Sequence, residues 1–194
     1  DPIDLGEERT KSFWNRRIIQ GGTPTVKGES RIEKAWAESD QRQYYVPCPH
    51  CGEEQVLTFG SDKPYGLRWP RDEDGAPQTE SAHYVCAHNG CVIDERDKPW
   101  MIENGRWVAH KPENAGHAGF HISALYSLQP NARWSVIARE FLERKDDPAR
   151  LQTFVNTTLG ETWEPPADQE VDEQNLMGRR EVYAAEVPDG VAVL

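Results

Sequence analysis

The spacing of apolar and polar positions changes along this chain, and the changes mark its elements. Gln43-Tyr44-Tyr45-Val46-Pro47 reads as a strand and Glu54-Gln55-Val56-Leu57-Thr58-Phe59 as its return, which places residues 48–53 at a hairpin tip. Ala82-His83-Tyr84-Val85 and Cys91-Val92-Ile93 repeat the arrangement as a second hairpin. Residues 60–82 between them, rich in Gly, Pro, Asp and Ser, predict a long loop with one strand at Leu67-Arg68-Trp69. Further on, the period lengthens to that of a helix. Trp134, Ile137, Ala138, Phe141 and Leu142 form one stripe, capped by Asn131. Leu151, Phe154, Val155, Thr158 and Leu159 form another, capped by Asp147, with Pro148 in its first turn and Gly160 at its end.

Weaker signals fill the rest. Glu7 to Trp14 predicts a short helix, with acids first and Lys11 later. The β-branched pair in Arg16-Arg17-Ile18-Ile19-Gln20 predicts a buried strand that runs out into Gly21-Gly22-Thr23-Pro24-Thr25, by pattern alone an ordinary strand and turn. Ser30 with Glu33 makes a capping box for a helix whose Ile32, Ala35 and Trp36 share a face. Lys98 to Glu103 predicts a helical turn, Gly105 to Val108 a strand, and the alternation of Phe120, Ile122 and Ala124 a half-buried strand. Glu164 to Glu173 is acidic and carries prolines, as an extended linker does. Glu173 to Tyr183 predicts a helix interrupted at Gly178, and Val187 to Leu194 a strand begun and cut off. With no initiator methionine, the chain reads as a piece of a longer polypeptide.

The chain has 194 residues, room for one or two small domains. Its formal charge of −11 argues against a general nucleic-acid-binding domain, which carries a basic face, but leaves a local basic patch open. Of seven tryptophans, Trp14, Trp69, Trp107 and Trp163 sit among polar residues, as caps of small cores or interfaces do. No apolar run is long enough to span a membrane, nothing near the start resembles a signal peptide, and no phosphate-binding loop with its lysine occurs.

The four cysteines carry the sharpest chemistry. They fall into two turns, Cys48-Pro49-His50-Cys51-Gly52 and Cys86-Ala87-His88-Asn89-Gly90-Cys91, each at a predicted hairpin tip. Two such turns facing each other make a zinc ribbon, in which four thiolates fill a tetrahedral shell and leave no position for catalysis. Two disulfides are the alternative, and a reducing compartment disfavours them. His50 or His88 could replace a thiolate; His83 is nearby. His117 and His121 are metal ligands by type, although no carboxylates join them at a defensible spacing. A unit this small is expected to need its metal. Loss of Cys48 or Cys91 should then unfold residues 44–95 and spare the two C-terminal helices.

Three sets of words carry a family resemblance: Ser39-Asp40-Gln41-Arg42 followed by Tyr45-Val46-Pro47-Cys48-Pro49-His50-Cys51-Gly52; Gly119-Phe120-His121-Ile122 with Leu125-Tyr126-Ser127; and Phe154-Val155-Asn156-Thr157 with Leu159-Gly160-Glu161 and Trp163. In this order they resemble the phage terminase large subunit of the lambda type, the GpA family. The resemblance implies a motor in the parent protein that packages double-stranded DNA into procapsids. A P-loop ATPase using ATP and Mg²⁺ drives it, and a ribonuclease H-like, metal-dependent endonuclease cuts the concatemer. Small subunit and portal are the implied partners, the assembly is oligomeric, and the setting is the host cytoplasm. Thr23 then looks like the γ-phosphate sensor of the ATPase coupling motif, with Thr25 as runner-up; Arg16, Arg17 and Arg31 are candidates for phosphate contact or plain surface charges.

The implied fold is α+β: zinc-ribbon hairpins plus amphipathic helices, with a remnant α/β P-loop ATPase strand at the N-terminus. Residues 1–38 would close the ATPase, 39–98 form the zinc ribbon with Cys48, Cys51, Cys86 and Cys91, and 99–163 hold a strand and two helices. Residues 164–194 would lead into an absent nuclease, so neither active site is complete here. A free-standing zinc-ribbon adaptor that binds protein partners is the alternative.

Overall fold

A computed structural model describes residues 2–165. The expected linker after residue 165, the 173–183 helix and the 187–194 strand lie outside the described residues.

The hairpin pattern is realised. Strand β1 (Arg42–Pro47) pairs antiparallel with β2 (Glu54–Val56), Tyr45 opposite Val56. Strand β3 (Gly66–Arg68) lies beside β4 (His83–Val85), which turns back into β5 (Val92–Ile93), forming a separate three-stranded antiparallel sheet. The first sheet recruits two later strands. Antiparallel β6 (Arg106–Ala109) takes the edge of β1 opposite β2, and parallel β7 (Phe120–His121) pairs with Arg42 and Gln43. Since β6 already occupies one edge of β1 at Arg42 and Gln43, β7 shares the edge that β2 uses further along.

The described residues also form the helices α1 (Pro2–Arg9), α2 (Arg31–Ala37), α3 (Lys98–Glu103), α4 (Trp134–Arg144) and α5 (Pro148–Phe154). Asp147 caps α5, its carboxylate accepting from the Ala149 and Arg150 N–H groups at 3.0 and 3.3 Å. From Val155 to Leu159 the helix widens into a π turn that ends at Gly160 in left-handed geometry. Such a bulge turns a side chain that an α-helix would aim elsewhere. Here buried Asn156 donates through Nδ2 to the Thr25 and Glu161 carbonyls, both at 2.9 Å.

The apolar stripes of α4 and α5 bury as their spacing predicts, but against the hairpins rather than as a separate layer. One core joins Val46, Cys48, Leu57, Tyr84 and Cys86 to Trp134, Ile137 and Phe154. Phe59 is its hinge point: its ring centroid lies 4.8 Å from Phe141 and 5.4 Å from Phe154. The chain leaving β2 is fastened by two tyrosines. Tyr126 Oη accepts the Leu57 N–H and donates to the Tyr44 carbonyl, each at 2.7 Å, and Tyr84 Oη accepts the Thr58 N–H at 3.1 Å. Hairpins and helices therefore share one core, so loss of Cys48 or Cys91 is expected to reach the helices as well.

Other expectations need correcting. The first helix spans Pro2–Arg9, not residues 7–14. Ile18 and Ile19 form no strand; Ile19 is 93% exposed, because no strand of the described residues lies beside it. Trp14 covers no core, at 96% exposed, whereas Trp69 packs on Phe59 and Phe141. Ser30 precedes α2 without a side-chain cap; Glu33 instead accepts the Gly28 N–H at 2.7 Å. Asn131 sits in a 3₁₀ turn, and the first N–H of α4 is taken by the distant Glu95 Oε1 at 2.8 Å. Phe120 and Ile122 are exposed, while Leu125 and Tyr126 turn inward in a 3₁₀ turn. Residues 122–126 curl away from β1, so period-two alternation past His121 carries no burial.

A candidate metal centre of four thiols

Each hairpin tip is a tight turn that points two sulfurs the same way. In the first, the Gly52 N–H returns to the Cys48 carbonyl at 2.9 Å; in the second, the Gly90 N–H returns to Cys86 at 3.1 Å. Both glycines have positive φ, 79° and 63°, a conformation that side chains resist. The Cys86 N–H closes the second turn onto the Cys91 carbonyl at 2.9 Å.

The turns meet. The Sγ atoms of Cys48, Cys51, Cys86 and Cys91 all lie within 4.8 Å of one another, and Cys51 and Cys86 are 3.8 Å apart. All four cysteines are free, so the paired-disulfide alternative does not describe them. Four sulfurs around zinc, each about 2.3 Å from the ion, are spaced by about 3.8 Å, so the residues present fit such an ion. Cys48 and Cys86 are buried; Cys51 and Cys91 are half-buried.

The four thiols are electrostatically unequal. Burial pushes Cys48 up to about 12 and also raises Cys91. Cys51 is lowered to about 6, chiefly by the Asn89 side chain and then by the backbone at Glu53. A divalent cation, once bound, would supply the positive charge that lets all four exist as thiolates together.

The histidines stand outside this set. His88 Nε2–H donates to the Glu54 carbonyl at 3.0 Å, His83 Nδ1–H to the Ser81 carbonyl at 3.1 Å and His121 Nε2–H to the Gly160 carbonyl at 2.9 Å. His50 and His117 belong to no cluster of metal-ligating groups among the described residues. Sequence reasoning missed three residues around the thiols. Asn89 flanks Cys51, Gln55 reaches across to the second turn, and Arg106 grips Glu54 at 2.8 and 2.5 Å. None has a spacing signal, since each acts through a fold-dependent contact.

Thr23 is exposed on an extended segment, flanked by buried Pro24. Two residues on, Thr25 accepts the Trp163 N–H at 2.9 Å, and Val26 bridges Trp163 in parallel. Arg16 and Arg17 are exposed, and Arg31 pairs with Glu7 at 3.4 Å. No helix among the described residues is long and apolar enough to cross a membrane.

Comparison with known proteins covers the whole chain. Residues 1–107 match the family model described as phage terminase large subunit gpA, ATPase domain, and residues 117–194 match terminase large subunit gpA, endonuclease domain. A terminase large subunit of Enterobacteria phage P21 is 41% identical over 100% of this chain and 32% of its own length. One of Escherichia phage lambda is 37% identical over the same shares. The chain thus spans about a third of the length of these curated relatives. No solved structure matches it. Two successive matches to one family's models, with the thiol turns inside the first, place this chain in the phage terminase large subunit gpA family.

Proposed function

We propose that this chain is the middle region of an ATP-driven motor that packages double-stranded DNA into procapsids and cuts concatemers, and that its thiol centre is a structural zinc site. The observation that carries the zinc reading is the closure of two separate hairpin turns by four sulfurs within 4.8 Å. Cys48, Cys51, Cys86 and Cys91 would hold the ion and leave no open position, which suits a rigid joint and not a catalyst. Family membership supports the motor over a free-standing adaptor. On this reading residues 1–38 close the ATPase fold, 39–98 are a ribbon carried inside the stretch that matches the ATPase domain, 99–163 are its helical support, and 164–194 continue the stretch, from 117, that matches the endonuclease domain. ATP and Mg²⁺, the small subunit, the portal and an oligomeric assembly in the host cytoplasm belong to the intact protein.

Zinc is tested directly. The chain purified under reducing conditions should hold about one zinc per molecule by elemental analysis. A protein that is metal-free as isolated and takes up none when zinc is added would remove the site.

The motor reading is tested at Thr23, proposed here as the coupling residue. In the intact polypeptide, Thr23→Ala should abolish ATP-driven packaging while ATP binding persists. Packaging at the unmodified rate would take Thr23 out of the machinery.

A further inference from the structure

The two thiol turns are held together by contacts that involve no sulfur. Gln55, buried on β2, accepts the Ala87 N–H through Oε1 at 2.8 Å, and Ala87 directly follows Cys86. One residue earlier on β2, the Glu54 carbonyl accepts from His88 Nε2–H at 3.0 Å. Both contacts run from the first hairpin to the second turn and clasp it, one at the Ala87 backbone and one at the His88 side chain.

Gln55 is a costly choice for this position. Its Nε2 is buried with no hydrogen-bond partner among the described residues. A buried amide with one end unsatisfied is worse than an apolar side chain of the same size unless its other end accomplishes something. What the other end accomplishes here is the capture of Ala87.

We infer that Gln55, seconded by His88, is a latch that brings the second cysteine turn to the first before any ion arrives, so that metal completes an assembled site and does not assemble it. The inference builds on the metal reading above, but the latch itself does not require the metal. It also departs from the expectation that the ribbon folds only around its ion, because the shared core and the latch supply the register that an isolated ribbon lacks.

The test compares the wild-type chain with Gln55→Ala, Gln55→Glu and His88→Ala. Amide hydrogen exchange of the reduced, metal-free protein is the first measurement. Ala87 should be protected in the wild type, lose protection about tenfold in Gln55→Ala, and keep most of it in Gln55→Glu, which retains an acceptor oxygen. The second measurement is a cobalt(II) titration read by thiolate charge-transfer absorption. Gln55→Ala should bind about 10–100-fold more weakly with an unchanged four-sulfur spectrum, as loss of a residue that orients ligands does. His88→Ala, altered at an exposed side chain and so able to fold, should weaken binding less.

Wild-type protection of Ala87 that survives in Gln55→Ala, with cobalt affinity within about twofold, overturns the latch. A wild type that binds no cobalt but shows the expected exchange pattern overturns the metal reading and upholds the latch. A Gln55→Ala chain that does not fold leaves the decision to His88→Ala and Gln55→Glu: unchanged cobalt affinity in the first with lost Ala87 protection in the second overturns the latch.

Discussion

Trp134→Ala is expected to lower stability by about 3–5 kcal/mol, the range for truncating a fully buried large aromatic. Trp134 opens α4 and has no exposed surface. Its ring centroid lies 5.7 Å from Tyr84, and its Nε1–H donates to the Leu125 carbonyl at 3.1 Å. Truncation leaves a cavity and strips that carbonyl of its donor. Tyr84, whose hydroxyl holds the Thr58 N–H, loses its backing at the same time. Because Trp134, Cys48 and Cys86 belong to one core, the damage should not stay in the helices. Helical circular dichroism and release of bound metal should therefore move together along a denaturant titration, both to lower concentration. A first transition that releases metal with the helices intact would show that hairpins and helices are independent.

The second large effect is one of pH. The Lys98 side chain is only 2% exposed; its ammonium donates to the Ala132 carbonyl at 3.2 Å, lies 3.7 Å from Glu95 and sits 5.4 Å over the Trp134 ring. Burial lowers its pKa from 10.5 to about 8, with Glu95 opposing. The folded pKa is thus below the unfolded one, and between the two the unfolded chain holds a proton that the folded chain has released. Unfolding free energy must rise with pH across that window and stay flat below it. The full rise is about 3 kcal/mol. Burial of Tyr84 and Tyr126 raises their pKa values and acts in the opposite sense at higher pH, so the cleanest reading lies between about 8 and 9.5. Denaturation of wild type and Lys98→Met across this range isolates the effect, because the thiols and tyrosines titrate in both: the wild type should gain stability relative to Lys98→Met. Equal slopes would show that Lys98 keeps an ordinary pKa in the fold.

The two hairpins, α3 and the α4 and α5 stripes were legible because each follows from local periodicity, joined at α5 by the local cap Asp147. The four thiols were legible for the same reason, since spacing and turn glycines are properties of adjacent residues. What was not legible depends on partners far away in sequence. Nothing in Gln55 announces Ala87, and Glu95 gives no sign that it completes α4. Ile18 and Ile19 show the reverse failure. Their β-branched pattern is a strand's, but a strand exists only where another supplies its hydrogen bonds, and local preference cannot provide one. Phe120 and Ile122 misled similarly, because alternation reports a face and not what covers it.

The bridge between Val26 and Trp163 has a geometric consequence. Val26, early in the described residues, and Trp163, near their end, are neighbours: the Lys27 N–H reaches the Trp163 carbonyl at 3.0 Å and the Trp163 N–H reaches the Thr25 carbonyl at 2.9 Å. A segment closed at its two ends in this way has the topology in which domain insertion and circular permutation are tolerated. Residues 26–163 should therefore tolerate exchange at that stem as a single piece. Any shift of the stem strand at Thr25 would reach the departing strand directly, bypassing the whole lobe.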